Sequence, residues 1–373
     1  MVSNDHPKVL ILGVGNAQVD VIRHLSGNAD VHACSYKKEG RGIALADTFE
    51  ILDITDANLI RSYAEQNNIE FIYSVGSDVA MPTVASVSQA LSLPAFLSAE
   101  QAEICQNKTK FREHLSGCYG AVEYRQLDAS LDIFPLNYPV IVKPADSQGQ
   151  RGVQKVESPS GLKSAYDEAI CHSRSKTVIV EEYVKGQEIS VNAFVQNGKV
   201  IFSLPSDRIS FPYRGGGIIH KHLLPCTVSK QGIESVERLV NETVVALGIE
   251  NGPVYFQIKM QGEKAKLIEV APRLDGCHMW RLIKEATGVD LLSLTIDSLI
   301  KGDKTDCELN HDFDGEWVLE FFSEAPKNVF DSSLFQPHSK CIYKEFYYQN
   351  GDVVSTMNGY KEKVGYQIYR DDK

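Results

Sequence analysis

The sequence has no run of lysines and arginines, no apolar stretch near the ~20 residues of a membrane span, and no CxxC pair. Each absence excludes something. Without a basic run, and with a formal net charge of −11, the chain is not expected to partner nucleic acid or an anionic membrane surface. Any phosphate-binding site must then come from a local cluster of cations. The opening MVSNDHPKVLILGVG has neither the charged start nor the cleavage site of a secretory signal, and residues 9–12 read as a buried strand. The eight cysteines (Cys34, Cys105, Cys118, Cys171, Cys226, Cys277, Cys307, Cys341) lack metal-ligand spacing and are expected to be reduced thiols in a cytoplasmic protein. Internal repeats and low-complexity tracts are also missing.

What is present is an ordinary globular composition, 43% hydrophobic and 23% charged, over 373 residues, enough for two or three domains. Residues 8–100 alternate strand and helix patterns, which predicts a small doubly wound parallel sheet. Gly13-Val14-Gly15 after the first strand invites a dinucleotide reading. Gln18 stands where the third glycine belongs, however, and Ser35-Tyr36-Lys37 replaces the acid that should end the second strand. A tight scaffold turn is the better reading. A helix is expected across 102–115, a strand across 138–144, and a helix across 160–172. A hairpin is expected to turn at Asn197-Gly198 and a site-covering loop to fill 205–225. Helices are expected at 232–247 and 278–287, and strand-like runs follow beyond about residue 301.

Chemistry concentrates in residues 252–276, GPVYFQIKMQGEKAKLIEVAPRLDG, which read as two strands joined by a polar turn. Phe256, Ile258 and Met260 share one face, and Gln257 and Lys259 the other. A turn centred on Glu263 brings Gln257 across the ladder from Glu269, with Arg273 four residues on. An amide oxygen, a carboxylate and a guanidinium on one sheet face suit Mg²⁺ and phosphates. Upstream, Lys143 ends the apolar strand PVIVKP, where read alone it is a surface lysine. The stretch from Ser147 through Gly149 and Arg151 to Gly152 lets backbone N–H groups wrap an anion, although it has no Walker GK[ST]. Glu181-Glu182-Tyr183-Val184 and Glu188 read as a nucleotide-edge connector or as acids in a surface turn. His220 and His222 are weaker candidates. Arg208, Arg214 and Arg281 read equally as carboxylate clamps or surface arginines.

Taken in order, a helix lysine, strand-Lys-Pro, a Ser/Gly loop with arginine, EEYVxGxE, GPVYFQ, LIEVAPR and ATGVD resemble the ATP-grasp superfamily over residues 1 to about 300. The likeness is nearest to the carbamoyl-phosphate-synthase-like and carboxylate–amine ligase branches. It implies a pre-ATP-grasp doubly wound α/β domain at 1–105 and a two-lobed α+β ATP-grasp domain at 106–302. The lobes would divide at about 118–185 and 186–302, and a small C-terminal subdomain would follow at 303–373. It also implies that Lys108 and Lys143 contact ATP phosphates, that the 147–152 loop closes over them, and that Glu181, Tyr183 and Val184 meet adenine while Glu188 holds ribose. Gln257 and Glu269 would bind Mg²⁺ (or Mn²⁺), and Arg273 would steady the transferring phosphoryl group, with Lys143 and Arg151 assisting. Ala271 replaces the family's usual asparagine and puts the second metal in doubt.

The implied reaction activates a small-molecule carboxylate as an acyl-phosphate for attack by an amine, releasing ADP and phosphate. Two alternatives stand beside it, a kinase-like enzyme forming carbamoyl or carboxy phosphate and a non-catalytic nucleotide-binding module. A homodimer is the expected assembly.

Overall fold

A computed structural model describes residues 6–147, 151–212, 217–302, 309, 311–357 and 359–371. Among them the strands form three sheets. The first is parallel, in order β3-β2-β1-β4, from β1 (Lys8–Leu12), β2 (Asp30–Ser35), β3 (Thr48–Ile51) and β4 (Phe71–Tyr73). Helices α1 (Asn16–Leu25), α2 (Ala57–Asn67) and α3 (Met81–Leu91) follow β1, β3 and β4 in the expected βαβ rhythm, which β3, a strand not expected from the sequence, interrupts by joining β2 through a short 3-10 turn at Arg41–Ala44. The second sheet is antiparallel, in order β5-β8-β6-β7, built from β5 (Tyr124–Leu127), β6 (Val140–Pro144), β7 (Gln154–Val156) and β8 (Val178–Glu182).

The third sheet has eight strands in the order β13-β12-β9-β10-β11-β14-β16-β15. They are β9 (Gln187–Gln196), β10 (Lys199–Ser210), β11 (Ile219–Leu224), β12 (Asn251–Gln261), β13 (Lys264–Ala271), β14 (Glu316–Glu324), β15 (Cys341–Phe346) and β16 (Glu362–Asp371). The strand runs beyond residue 301 therefore pair into the same sheet as the hairpin of 252–271.

Two elements differ from expectation for physical reasons. The helix expected across 102–115 is two helices, α4 (Ala99–Gln106) and α5 (Lys108–His114). Asn107 takes an extended conformation between them, and its side chain accepts from the Thr109 and Lys110 N–H groups. An N-cap of that kind starts a helix in a new direction rather than continuing the old one. The expected loop across 205–225 is the β10–β11 hairpin, in register from Asp207 against Leu223 to Ile209 against Lys221. Its inward residues Ser206, Arg208 and His222 are polar, so the alternation that identifies a half-buried strand is hidden.

Helix α6 (Pro159–His172) covers the second sheet, and α7 (Lys230–Ala246) covers one face of the third. Val236, Leu239, Val240 and Val244 of α7 pack on Val191, Phe256, Ile258 and Leu267 in one apolar layer. The opposite face is divided. One end, with Phe194, Phe202, Leu204, Leu224 and Leu319, is apolar and joins a core shared with the first sheet, α8 (Met279–Thr287) and α9 (Leu291–Lys301). The other end carries polar side chains, and there the candidate site lies. No described helix is long and apolar enough to cross a membrane.

Candidate functional site

The β12–β13 ladder runs from Gln261 opposite Lys264 to Ile258 opposite Leu267, around a turn where Gly262 takes φ 62°. A strict continuation would place Ile268 opposite Gln257 and send Glu269 to the α7 face, because successive strand residues point to opposite sides. A bulge intervenes, and Gln257 faces Glu269 instead. The cross-strand pair expected from the sequence is therefore present, made possible by one extra residue. Glu269 is exposed and makes no hydrogen bond or ion pair among the described residues.

Arg112 on α5 holds that bulge. Its Nη1 donates to Leu267 O at 2.8 Å and its Nη2 to Ile268 O at 2.8 Å. Its Nε donates to Glu181 Oε1 at 2.7 Å, so one buried guanidinium ties the second sheet to the backbone just before Glu269. Lys143 Nζ lies 2.7 Å from the other oxygen of Glu181. Burial alone would raise the Glu181 carboxyl, but Arg112 and Lys143 outweigh it and bring its pKa down to about 2. For Lys143, burial dominates. Glu181 offsets part of it, Arg112 and Lys108 push the same way as burial, and the ammonium falls to about 8. One carboxylate thus pairs with two cations, and Lys108 adds a third charge near Lys143, which leaves a surplus of positive charge suited to an anion.

The rest of the loop is anchored nearby. Lys108 N donates to Ala145 O at 2.9 Å, and Lys108 Nζ donates to Ser147 O at 2.7 Å. Ser147 Oγ donates to Arg151 O at 3.1 Å, and Arg151 is exposed. Gly152 has φ 71°, and a Cβ there would come within 3.0 Å of Pro144 Cγ. Gly149 and Arg214 lie outside the described residues. Glu182 accepts from Lys266 Nζ at 2.8 Å, while the Tyr183 ring lies under Lys155 Nζ at 4.1 Å and Val184 is buried.

Several side chains have tasks other than those expected. Glu181, expected at adenine, is a buried counter-ion for Arg112 and Lys143. Glu188, expected at ribose, accepts from Arg208 Nη1 at 2.6 Å and from Gln257 Nε2 through the same oxygen. Arg273 pairs with Asp78 of the first domain, its Nε donating at 2.6 Å, rather than with Glu269. Arg281 lies 3.4 Å from Asp20 and 4.2 Å over the Tyr343 ring, which makes it a structural arginine. His220 is 3.2 Å from Glu320, and His222 is fully buried.

Arg112 and Asp78 went unread in the sequence. Arg112 had a signal, since it lies four residues after Lys108 and so on the same helix face. Asp78 had none, because its partner is 195 residues away.

An exposed carboxylate opposite an amide oxygen is a hard-oxygen donor set, which fits Mg²⁺ or Mn²⁺. Ala271, on the same face, supplies no donor, so the side-chain contribution rests on Glu269 and Gln257.

Residues 136–281 match the family model described as ATP-grasp domain. The formate-dependent phosphoribosylglycinamide formyltransferase of Synechococcus sp. (strain CC9902) is 26% identical over 213 residues, 53% of this chain and 53% of that protein. The chain thus matches about half the length of that relative. Among solved structures, the L-amino acid ligase from Bacillus licheniformis superposes with a TM-score of 0.79 at 16% identity, covering 98% of this chain and 94% of that one. The biotin carboxylase domain of the Hydrogenobacter thermophilus 2-oxoglutarate carboxylase, in complex with MgADP, ADP and bicarbonate, also gives 0.79 at 16% identity. It covers 98% of this chain and 86% of its own. The three-sheet arrangement is accordingly the ATP-grasp fold.

Proposed function

We propose that this chain, with its ATP-grasp domain at residues 136–281, is an ADP-forming ligase joining a small-molecule carboxylate to an amine. The observation carrying this reading is the pairing of opposites: Arg112 and Lys143 share a single carboxylate, Glu181, with Lys108 adding charge beside Lys143, while the Glu269 carboxylate makes no hydrogen bond or ion pair among the described residues. A polyphosphate brings the negative charge that the first group lacks, and a divalent cation brings the positive charge that Glu269 lacks.

In this reading a carboxylate oxygen of the substrate attacks the γ-phosphorus of ATP. The bond to the bridging oxygen breaks, ADP leaves, and an acyl-phosphate remains. The neutral amine then attacks the acyl carbon through its nitrogen lone pair, the C–O bond breaks with its electron pair leaving on phosphate, and the extra proton on nitrogen passes to the released phosphate. Lys143 and Lys108 bind the phosphates, and Ser147, Gly149, Arg151 and Gly152 form the loop that excludes water. The backbone at Tyr183 and Val184 meets the base, and Glu181 acts by holding Lys143 and Arg112 in place. Glu188 keeps its second oxygen for the ribose, and Arg273, fixed by Asp78, faces the transferring group. Glu269 and Gln257 would hold Mg²⁺, which would supply positive charge for the transferred oxygens.

The test is ADP release against a panel of carboxylates with Mg²⁺, using hydroxylamine as a general amine. ADP release that requires a carboxylate, with hydroxamate formed, is the expected result. Bicarbonate alone driving turnover would favour the carboxy-phosphate reading. ATP binding with no carboxylate-stimulated turnover would reduce the chain to a nucleotide-binding module.

A further inference from the structure

The polar stripe that begins at Glu269 and Gln257 continues across the third sheet. Strand register places Ser190 beside Gln257, Ser206 beside Ser190, and His222 beside Arg208, all on the face away from α7. At its far end His222, Asp275 and Cys277 converge, with ligand atoms all within 4.8 Å of one another. In the same cluster, His222 Nε2 and Asp275 Oδ2 are buried and have no hydrogen-bond partner among the described residues. Each costs stability unless something fills its bonding capacity.

Lys363 on β16 completes the cluster. Its Nζ donates to Cys277 Sγ at 3.4 Å, lies 3.6 Å from the Phe321 ring centroid, and makes no ion pair among the described residues. Arg208 is also close, but Glu188 already matches its charge. One unmatched cation and one carboxylate oxygen without a partner therefore stand in the same cluster, with no net charge between them.

We propose that this cluster is the acceptor site for a zwitterionic α-amino acid, its amino group on Asp275 Oδ2 and His222 Nε2 and its carboxylate on Lys363. The proposal rests on the ligase reading and names the class of amine. A borderline divalent cation also suits Cys, His and Asp, but the Lys363 ammonium touches Cys277 and Arg208 lies beside His222 on the next strand, and both positive charges oppose a further cation; burial first, then Arg208 and Lys363, keeps the His222 imidazole neutral. Orientation follows from the topology. Asp275 follows β13, six residues after Glu269, which sets the amino group at the end of the site nearer the metal shelf and the activated carboxylate. Lys363 lies on β16, several strands away from β13, so the acceptor's own carboxylate points away and escapes activation.

The experiment measures ADP release with the activated carboxylate fixed and the amine varied over the free L-amino acids, the amide of each active one, and hydroxylamine. An active amino acid should outperform its amide by about tenfold or more in kcat/KM, the loss of one charged hydrogen bond. Lys363→Met and Asp275→Asn should each lower the ratio of amino-acid-supported to hydroxylamine-supported turnover by about tenfold or more, through KM for the amino acid. The hydroxylamine rate serves as the control for folding and for the first half-reaction. Amides equal to their acids, ratios unchanged in both variants, or one tightly bound Zn²⁺ lost in Cys277→Ser would each overturn the proposal. No turnover even with hydroxylamine would instead remove the ligase reading, and this inference with it.

Discussion

Glu181 and Glu269 sit near the ends of two neighbouring sheets, and Arg112 touches the surroundings of both, yet they are opposites. Glu181 is buried, and each of its oxygens meets a cation. Glu269 is exposed and makes no hydrogen bond or ion pair among the described residues. The first arrangement holds a structure together, because a buried charge is tolerated only when it is compensated. The second is what a protein retains when the partner is to come from outside. The contrast separates a carboxylate that positions other groups from one open to the ligand proposed for it, although EEYV and LIEV look equally acidic in the sequence.

The sharpest way to break the comparison is to neutralise each acid in turn. Glu269→Gln should abolish Mg²⁺-supported ADP release, a loss on the order of a thousandfold, as several kcal/mol of transition-state stabilisation disappear. Its melting temperature should not move, because no described contact is lost. A fully active variant would remove Glu269 from the metal shelf.

Glu181→Gln should do the reverse. It leaves Arg112 and Lys143 buried without their counter-ion and should cost about 3–5 kcal/mol of unfolding free energy. Denaturant unfolding that matches the parent would show the triad to be dispensable.

The smallest effect comes from pH. Lys143 has a folded pKa of about 8, below its ordinary value of 10.5, so in the free protein it loses its proton as pH rises through 8. A bound polyphosphate favours the charged form, so nucleotide binding should take up a proton above pH 8. Affinity should then weaken by up to about tenfold per unit. Because the unfolded chain holds that proton more tightly, the same group makes stability rise between about 8 and 10.5. Affinity that stays flat from pH 7 to 9.5 would show that Lys143 does not touch phosphate.

Much of this arrangement was legible before the structure. The hydrophobic alternation of Phe256, Ile258 and Met260 sets the face of Gln257, and Gly262 locates the turn. What stayed hidden depends on partners far along the chain. Whether Glu181 is a ligand or a counter-ion depends on Arg112, 69 residues away, and Arg273 finds Asp78 across 195. The β10–β11 hairpin was obscured because Ser206, Arg208 and His222 put polarity where a strand pattern expects apolar side chains. Asn107 was read as one more helical residue, although its short amide side chain is better suited to starting a helix.

The bulge at Ile268 turns the role proposed for Glu269, that of a metal ligand, into a question of parity. Glu269 reaches the site because an odd residue intervenes between the turn and the acid. Deleting any single residue between Gly262 and Glu269 would turn the carboxylate towards the α7 core without changing one functional side chain. Adding a pair would leave its direction alone. A homologous chain could therefore retain every motif residue and still lose the site through an insertion or deletion of odd length in this hairpin.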